Sequence, residues 1–280
     1  MSNFIFEHGA TLRLTVFLIV LLLMAAWELA APRRRREIPR LIRWSNNLLL
    51  VAIDSMVVRF LFPILATGLA VVAKDQHWGL LNLVALPSWV AILVSMIALD
   101  LVIFLQHLVF HAVPVLWRLH RVHHADIEFD VTTAVRFHPF EIVLSMAVKM
   151  AAVGLLGAPP VAVLLFEVLL NATAMFNHAN VHLPKPVDHA LRSVLVTPDM
   201  HRVHHSVRPD ETNSNFGFNL SWWDRLFGTY CAQPAAGHEQ MTIGLEAFRS
   251  GRDLWLDRLL IQPLLEPEPP HPRTSDEAAQ

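Results

Sequence analysis

Charge is scarce in this sequence. Only 16% of its 280 residues are Asp, Glu, Lys or Arg, against roughly 25% in an ordinary soluble domain. With 54% hydrophobic residues and a mean hydropathy of +0.42, that excludes a disordered chain and argues against a soluble single domain. It points to an integral membrane protein. Cysteine is nearly absent too. Cys231 alone allows no internal disulfide, no CxxC pair, no iron–sulfur cluster and no cysteine-rich zinc site. A net charge of −2 gives no bulk electrostatic case for nucleic acid. No Walker loop, EF-hand loop, HExxH or GxGxxG fingerprint is present, so no bound nucleotide is expected. Histidine is the exception: there are 16 against one tyrosine.

Apolar runs set the organisation. Residues 12–31 form the first run long enough for a bilayer, which takes about 20 residues. It lacks the preceding basic residues of a signal peptide. Arg33 to Arg36, Arg40 and Arg43 follow it, and read as a solvated charge run. The positive-inside rule puts that loop in the cytoplasm. Further spans are expected at 47–73, 87–110, 140–157 and 161–178. Pro63 should kink the second. The last two flank Gly157-Ala158-Pro159-Pro160, a helix-breaking turn. Residues 1–46 thus form an anchor and basic loop, and 47–262 the main, multi-span domain. Residues 263–280, rich in Pro and Glu, read as a disordered tail. Residues 112–138 and those after 180 should share the cytoplasmic face. The preference for Arg over Lys suggests a bacterial inner membrane.

Charges inside spans need partners. Lys149 and Glu167 lie about nine residues either side of the turn, hence at similar depth, roughly 13 Å from it; they are expected to pair. Asp54, Arg59 and Asp100 should face inward. Asp100 is a candidate partner for either His107 or Arg59.

Ten histidines fall into four motifs: His107-Leu-Val-Phe-His111, His120-Arg-Val-His123-His124, His178-Ala-Asn-Val-His182 and His201-Arg-Val-His204-His205. On a helix, residues i, i+3 and i+4 share a face, so each motif presents two or three imidazoles together. HRVHH occurs twice, each time after an HxxxH and a hydrophobic hairpin. Imidazole is a common ligand of transition metals, and ten suffice for two ions with about five each. No carboxylate ligands are evident, unlike the soluble di-iron bundles. Iron is the first choice and zinc the second, since ligand type alone does not separate them. The other six histidines differ. His8, His77, His238 and His271 read as solvated or interfacial. His138, before Pro139 and Glu141, reads as the start of a helix. His189 is an outside candidate near the third motif.

Across residues 95–230 the sequence resembles the fatty acid hydroxylase, or sterol desaturase, superfamily of membrane di-iron oxygenases. The resemblance rests on the four histidine motifs together with Thr133 to Glu141, Asn215-Phe216-Gly217 and Trp223 to Thr229. It implies an all-α integral membrane fold: a four-helix transmembrane core of two hairpins under a cytosolic helical cap that holds a histidine-rich dimetal site. The first span looks like an addition to that core. The implied ligands are His107, His111, His120, His123, His124, His178, His182, His201, His204 and His205. The implied chemistry uses two Fe ions, O2 as co-substrate and two electrons to hydroxylate or desaturate a lipid, or to cleave an ether lipid. Without a haem domain, electrons would come from a separate NAD(P)H-linked donor, cytochrome b5-like or ferredoxin-like. Asn215, Gly217, Asp224 and Gly228 read as structural, and Arg121 and Arg202 as partners of Asp126 or Asp199. A zinc-dependent membrane hydrolase and a non-catalytic metal-binding membrane protein are the readings from other classes.

Overall fold

The computed structural model describes residues 2–266, with side chains from residue 8 onward. Among the described residues there are helices and isolated bridges but no strand. The long helices are α1 (Ser2–Ala30), α2 (Arg40–Leu61), α4 (Ser88–Ala112), α6 (Pro139–Leu156) and α7 (Pro160–Asn177), with α3 (Ala66–Asp75) continuing α2. Five stretches are long and apolar enough to cross a membrane: 8–30, 40–82, 88–112, 139–156 and 160–177. The chain is thus a multi-pass membrane protein by its helices, as its composition indicated.

Local chemistry sets the breaks. Phe62, just before Pro63, is extended and ends α2 outright, because proline disfavours a helical predecessor and lacks an N–H. His138 caps α6: its Nδ1 accepts from the Phe140 N–H at 3.2 Å, with Pro139 in the first turn. Gly157 ends α6 in the left-handed conformation at φ 67°. Gly79 packs there so closely that a Cβ would lie 2.2 Å from the Gly157 nitrogen.

Helices α3, α4, α6 and α7 pack around Leu99, Ile103, Val153, Val163 and Phe166. Lys149 and Glu167 pair at 3.0 Å, as their equal depth requires. A third charge joins them: Arg13 of α1 bonds the same carboxylate, to which the Thr67 hydroxyl donates at 3.1 Å. The first span therefore packs along α7 and is tied to the bundle's interior. At its other end Glu28, fully buried, accepts from the N–H groups of Val131 (2.7 Å) and Asn180 (2.9 Å).

Several charges sit elsewhere than their spacing suggested. Arg59, in the last turn of α2, is exposed and not inward-facing. Asp100 serves neither His107 nor Arg59. It accepts from Asn219 (2.7 Å), the Trp223 indole (2.9 Å) and the Leu220 N–H (3.2 Å), tying that segment to α4. The basic run is not merely solvated. Arg43 is fully buried and grips Asp126 with two bonds (2.7 and 2.6 Å) and Asp130 with one (2.6 Å). Arg202 pairs with Asp199, but Arg121 binds the Gln262 carbonyl at 2.6 Å because Arg43 already holds Asp126. Gln262–Leu264 is a helical turn, and Arg118 donates to the Pro263 carbonyl at 2.7 Å, so the fold extends past 263. His271 and residues 267–280 lie outside the described residues.

Candidate metal centre

Two short helices complete the site: α5 (Pro114–His124) and α9 (Pro198–His204). Each opens on proline and closes on HRVHH, with His205 capping α9. The repeat in sequence is thus a repeat in structure. Their ring stripes face the inner ends of α4 and α7.

Nine of the ten motif histidines come together in two groups. His107, His111, His120, His124 and His204 form one; His123, His178, His201 and His205 form the other. Each group offers one ligand nitrogen per residue, all within 4.8 Å of one another. Each draws on both halves of the chain: α5 and α9 contribute to both. The groups adjoin, since the rings of His124 and His205 stack at 4.5 Å and those of His201 and His204 lie 5.0 Å apart.

His182 does not join them. Helix α7 ends at Asn177, and beyond His178 the chain leaves the helix and bridges Val181 to Pro32. The i, i+4 spacing then no longer stacks the two rings, and His182 is exposed. His189 is exposed as well. His238 is buried rather than solvated, and burial pushes its imidazole down to about 4.

The donor set fits metal ions. His107 Nε2 lies 3.1 Å from His120 Nε2 and 3.0 Å from His204 Nε2; His178 Nε2 lies 3.1 Å from those of both His123 and His201. One nitrogen meeting two others is poor hydrogen bonding, because a neutral ring has one N–H. It is what shared coordination requires. At a metal–nitrogen distance of about 2.1 Å, neighbours at right angles lie about 3.0 Å apart and tetrahedral ones about 3.4 Å. The observed spacings match the right-angled arrangement. Burial pushes the imidazoles of His120 and His178 down to about 3. Burial and the neighbouring rings hold His123, His124, His201, His204 and His205 well below the usual value. The rings outside the spans are therefore neutral, the state that binds metal.

Partners behind the rings fix which nitrogen points inward. His120 Nδ1 meets Glu141 Oε1 at 2.6 Å. His107 Nδ1 donates to the Phe216 carbonyl at 2.8 Å, His204 Nδ1 to that of Ser214 at 2.7 Å and His178 Nδ1 to that of Ala174 at 2.7 Å. The loop carrying Ser214 and Phe216 is itself braced. Asp224 accepts from the N–H groups of Phe216 (2.7 Å) and Gly217 (2.9 Å). Asn215, at φ 51°, holds the Met200 and Cys231 carbonyls at 2.9 and 2.8 Å. The structural reading of Asn215, Gly217 and Asp224 thus gains a purpose: they aim ligands. Glu141 was legible only as a helix-start residue; its bond to His120 spans 21 residues.

A cavity of about 310 Å³ opens among α2, α4, α6 and α7 and reaches His107 and His120. Its wall is largely apolar: Val51, Val58, Ile103, Phe110, Met146 and Leu170.

Fold and site together define a helical membrane protein with two adjoining imidazole groups that could hold metal ions, one of them reaching an apolar cavity. Residues 92–229, about half of the chain, match the fatty acid hydroxylase family. Similar proteins include an ornithine lipid hydroxylase of Rhizobium tropici, 30% identical over 53% of this chain and 44% of that protein. Others are an alkylglycerol monooxygenase of Xenopus tropicalis (27%, over 58% and 36%) and the human cholesterol 25-hydroxylase (28%, over 49% and 50%). The chain thus spans half or less of the relatives it matches. No solved structure matches.

Proposed function

We propose that this protein is a membrane-bound di-iron oxygenase that hydroxylates an unactivated C–H bond of a lipid. One observation carries the reading: two adjoining groups of imidazoles, eight of the nine buried, adjoin an apolar cavity set among membrane helices. A bound iron pair would supply O2 activation: two electrons from a donor, two protons and the two electrons of the C–H bond reduce O2, so that one oxygen atom enters that bond and the other leaves as water. The chain's own residues do the rest. Nine imidazoles hold the ions without adding charge, and their outer nitrogens are pinned so that the inner ones stay aimed. The apolar wall seats a hydrocarbon segment against His107 and His120 and excludes bulk water, which protects a strong oxidant from side reactions.

Five candidate ligands in one group exceed the four of a closed tetrahedral zinc site, which favours iron. The names of the relatives, hydroxylases and monooxygenases of lipids, point the same way. The architecture read here is a four-helix core with a cytosolic cap. Arg33 pairs with Asp199, and the Arg34 N–H donates to Asn180 at 3.0 Å, so the basic loop lies on the histidine side. By the positive-inside rule that side is cytoplasmic, where a separate NAD(P)H-linked donor can deliver electrons. Desaturation or ether-lipid oxidation on the same centre are the nearest alternatives. Metal analysis with O2 uptake under reductant tests the reading. Two irons per chain with O2 consumption support it; tightly held zinc in iron-replete protein, with no O2 use, overturns it in favour of a hydrolase.

A further inference from the structure

The largely apolar wall of the cavity carries a band of buried hydrogen-bond acceptors. Asp54 lines it from α2 and is 3% exposed. Both its carboxylate oxygens are buried without a hydrogen-bond partner among the described residues. Glu141 Oε2 and Gln106 Oε1, on the same wall, are likewise buried and unpartnered. Four side chains on the same wall each spend a donor elsewhere. Gln106 Nε2 donates to Ser145 at 2.7 Å, Lys149 to Glu167 at 3.0 Å, Asn171 Nδ2 to the Glu167 carbonyl at 2.8 Å and Ser55 to the Val51 carbonyl at 2.8 Å. The cavity therefore offers four buried acceptor atoms that no described residue satisfies.

A plain hydrocarbon in such a site would leave every acceptor unpaired in a low-dielectric setting, which is costly. A site built to bond a donor, by contrast, rejects the analogue that lacks it. Resting on the lipid-oxygenase reading above, we propose that the cavity selects lipids bearing a hydrogen-bond donor, a hydroxyl or an amine. Asp54 is the specificity residue that receives that donor. The cavity wall on α6 runs from Glu141 to Lys149, about 12 Å at 1.5 Å per residue. A donor anchored on it fixes which carbon of the attached chain lies against His107 and His120. Asp54 lies outside the family match of 92–229, so this selection belongs to the chain's own second helix.

The test is anaerobic binding to the full protein in nanodiscs, read by displacement of a fluorescent fatty alcohol. The probes are 1-hexadecanol, hexadecylamine and hexadecyl methyl ether. The ether matches the alcohol in chain length but has no donor. The alcohol, the amine or both should bind at least about tenfold tighter than the ether, the equivalent of one good hydrogen bond. Which of the two binds tighter identifies the donor. Asp54→Leu should reduce that preference to about twofold or less. Asp54→Asn keeps a neutral acceptor, so it should retain preference for the alcohol over the ether and bind the amine no better than the alcohol. It also stands in if the leucine variant does not fold. Equal binding of all three probes by the wild type would overturn the proposal, as would an undiminished preference in Asp54→Leu. Binding is read without turnover. Loss of donor preference with O2 uptake intact sinks this inference alone; a retained preference without O2 uptake sinks the oxygenase reading alone.

Discussion

Glu141 offers the sharpest test of how the centre is held. Its Oε1 lies 2.6 Å from His120 Nδ1, and both residues are buried. Glu141→Leu leaves that ring nitrogen facing an apolar wall and frees the imidazole to rotate or switch tautomer. Partners of this kind typically contribute 10- to 100-fold in metal affinity, or about 1.4 to 2.7 kcal/mol. The loss should fall on one group only. His120 belongs to the five-histidine group, and among the described residues Glu141 bonds no histidine of the other four. Glu141→Gln keeps an acceptor oxygen but loses the charge assistance that roughly doubles such a bond, so it should fall between the two. The assay is metal retained per chain against a graded chelator. Wild type should release its ions over one range, and Glu141→Leu should lose one ion at 10- to 100-fold lower chelator. A release curve that matches the wild type would refute the orienting role.

Other expectations are simpler. His204→Ala and His123→Ala, one from each group, should each lower metal content and abolish activity, whereas His182→Ala should leave metal content near wild type, as plasma emission analysis can decide. Arg43→Met leaves Asp126 and Asp130 buried without their cation and should cost about 3–5 kcal/mol, measured as a drop in thermal stability in detergent. Glu167→Gln strips Lys149 and Arg13 of their shared partner and should destabilise by a similar route; an unchanged melting temperature would count against the network. His238 titrates at about 4 when folded, against an ordinary 6.5. Its lowered value means that its contribution is complete above pH 6.5 and is lost as pH falls toward 4. The upper bound is about 3 kcal/mol, and His238→Gln should flatten that part of the stability profile.

Much of this was legible in local spacing. The apolar runs set the spans, the glycine–proline turn set the hairpin, and equal depth predicted the Lys149–Glu167 pair. Two HRVHH copies and two HxxxH copies announced a metal centre, because i, i+3 and i+4 share a helical face wherever the helix exists. The same rule failed at His182 because it presupposes a helix. The residue at 178 is where α7 ends, and no periodicity in the four-residue motif marks that boundary. His138 was readable because a cap is local; Asp100 was not, because its three donors lie about 120 residues away.

The sequence by itself determined that this is a membrane protein with clustered imidazoles, since hydropathy and helical spacing act over a few turns of chain. Only the tertiary structure decided which ring serves which group. It joined His204 of the second repeat to His107 of the first, at 3.0 Å across 97 residues. It turned a basic run into buried ion pairs, and it left Asp54 facing a cavity without a hydrogen-bond partner among the described residues. These are contacts between distant segments, fixed by how the helices pack and not by the order in which residues follow one another.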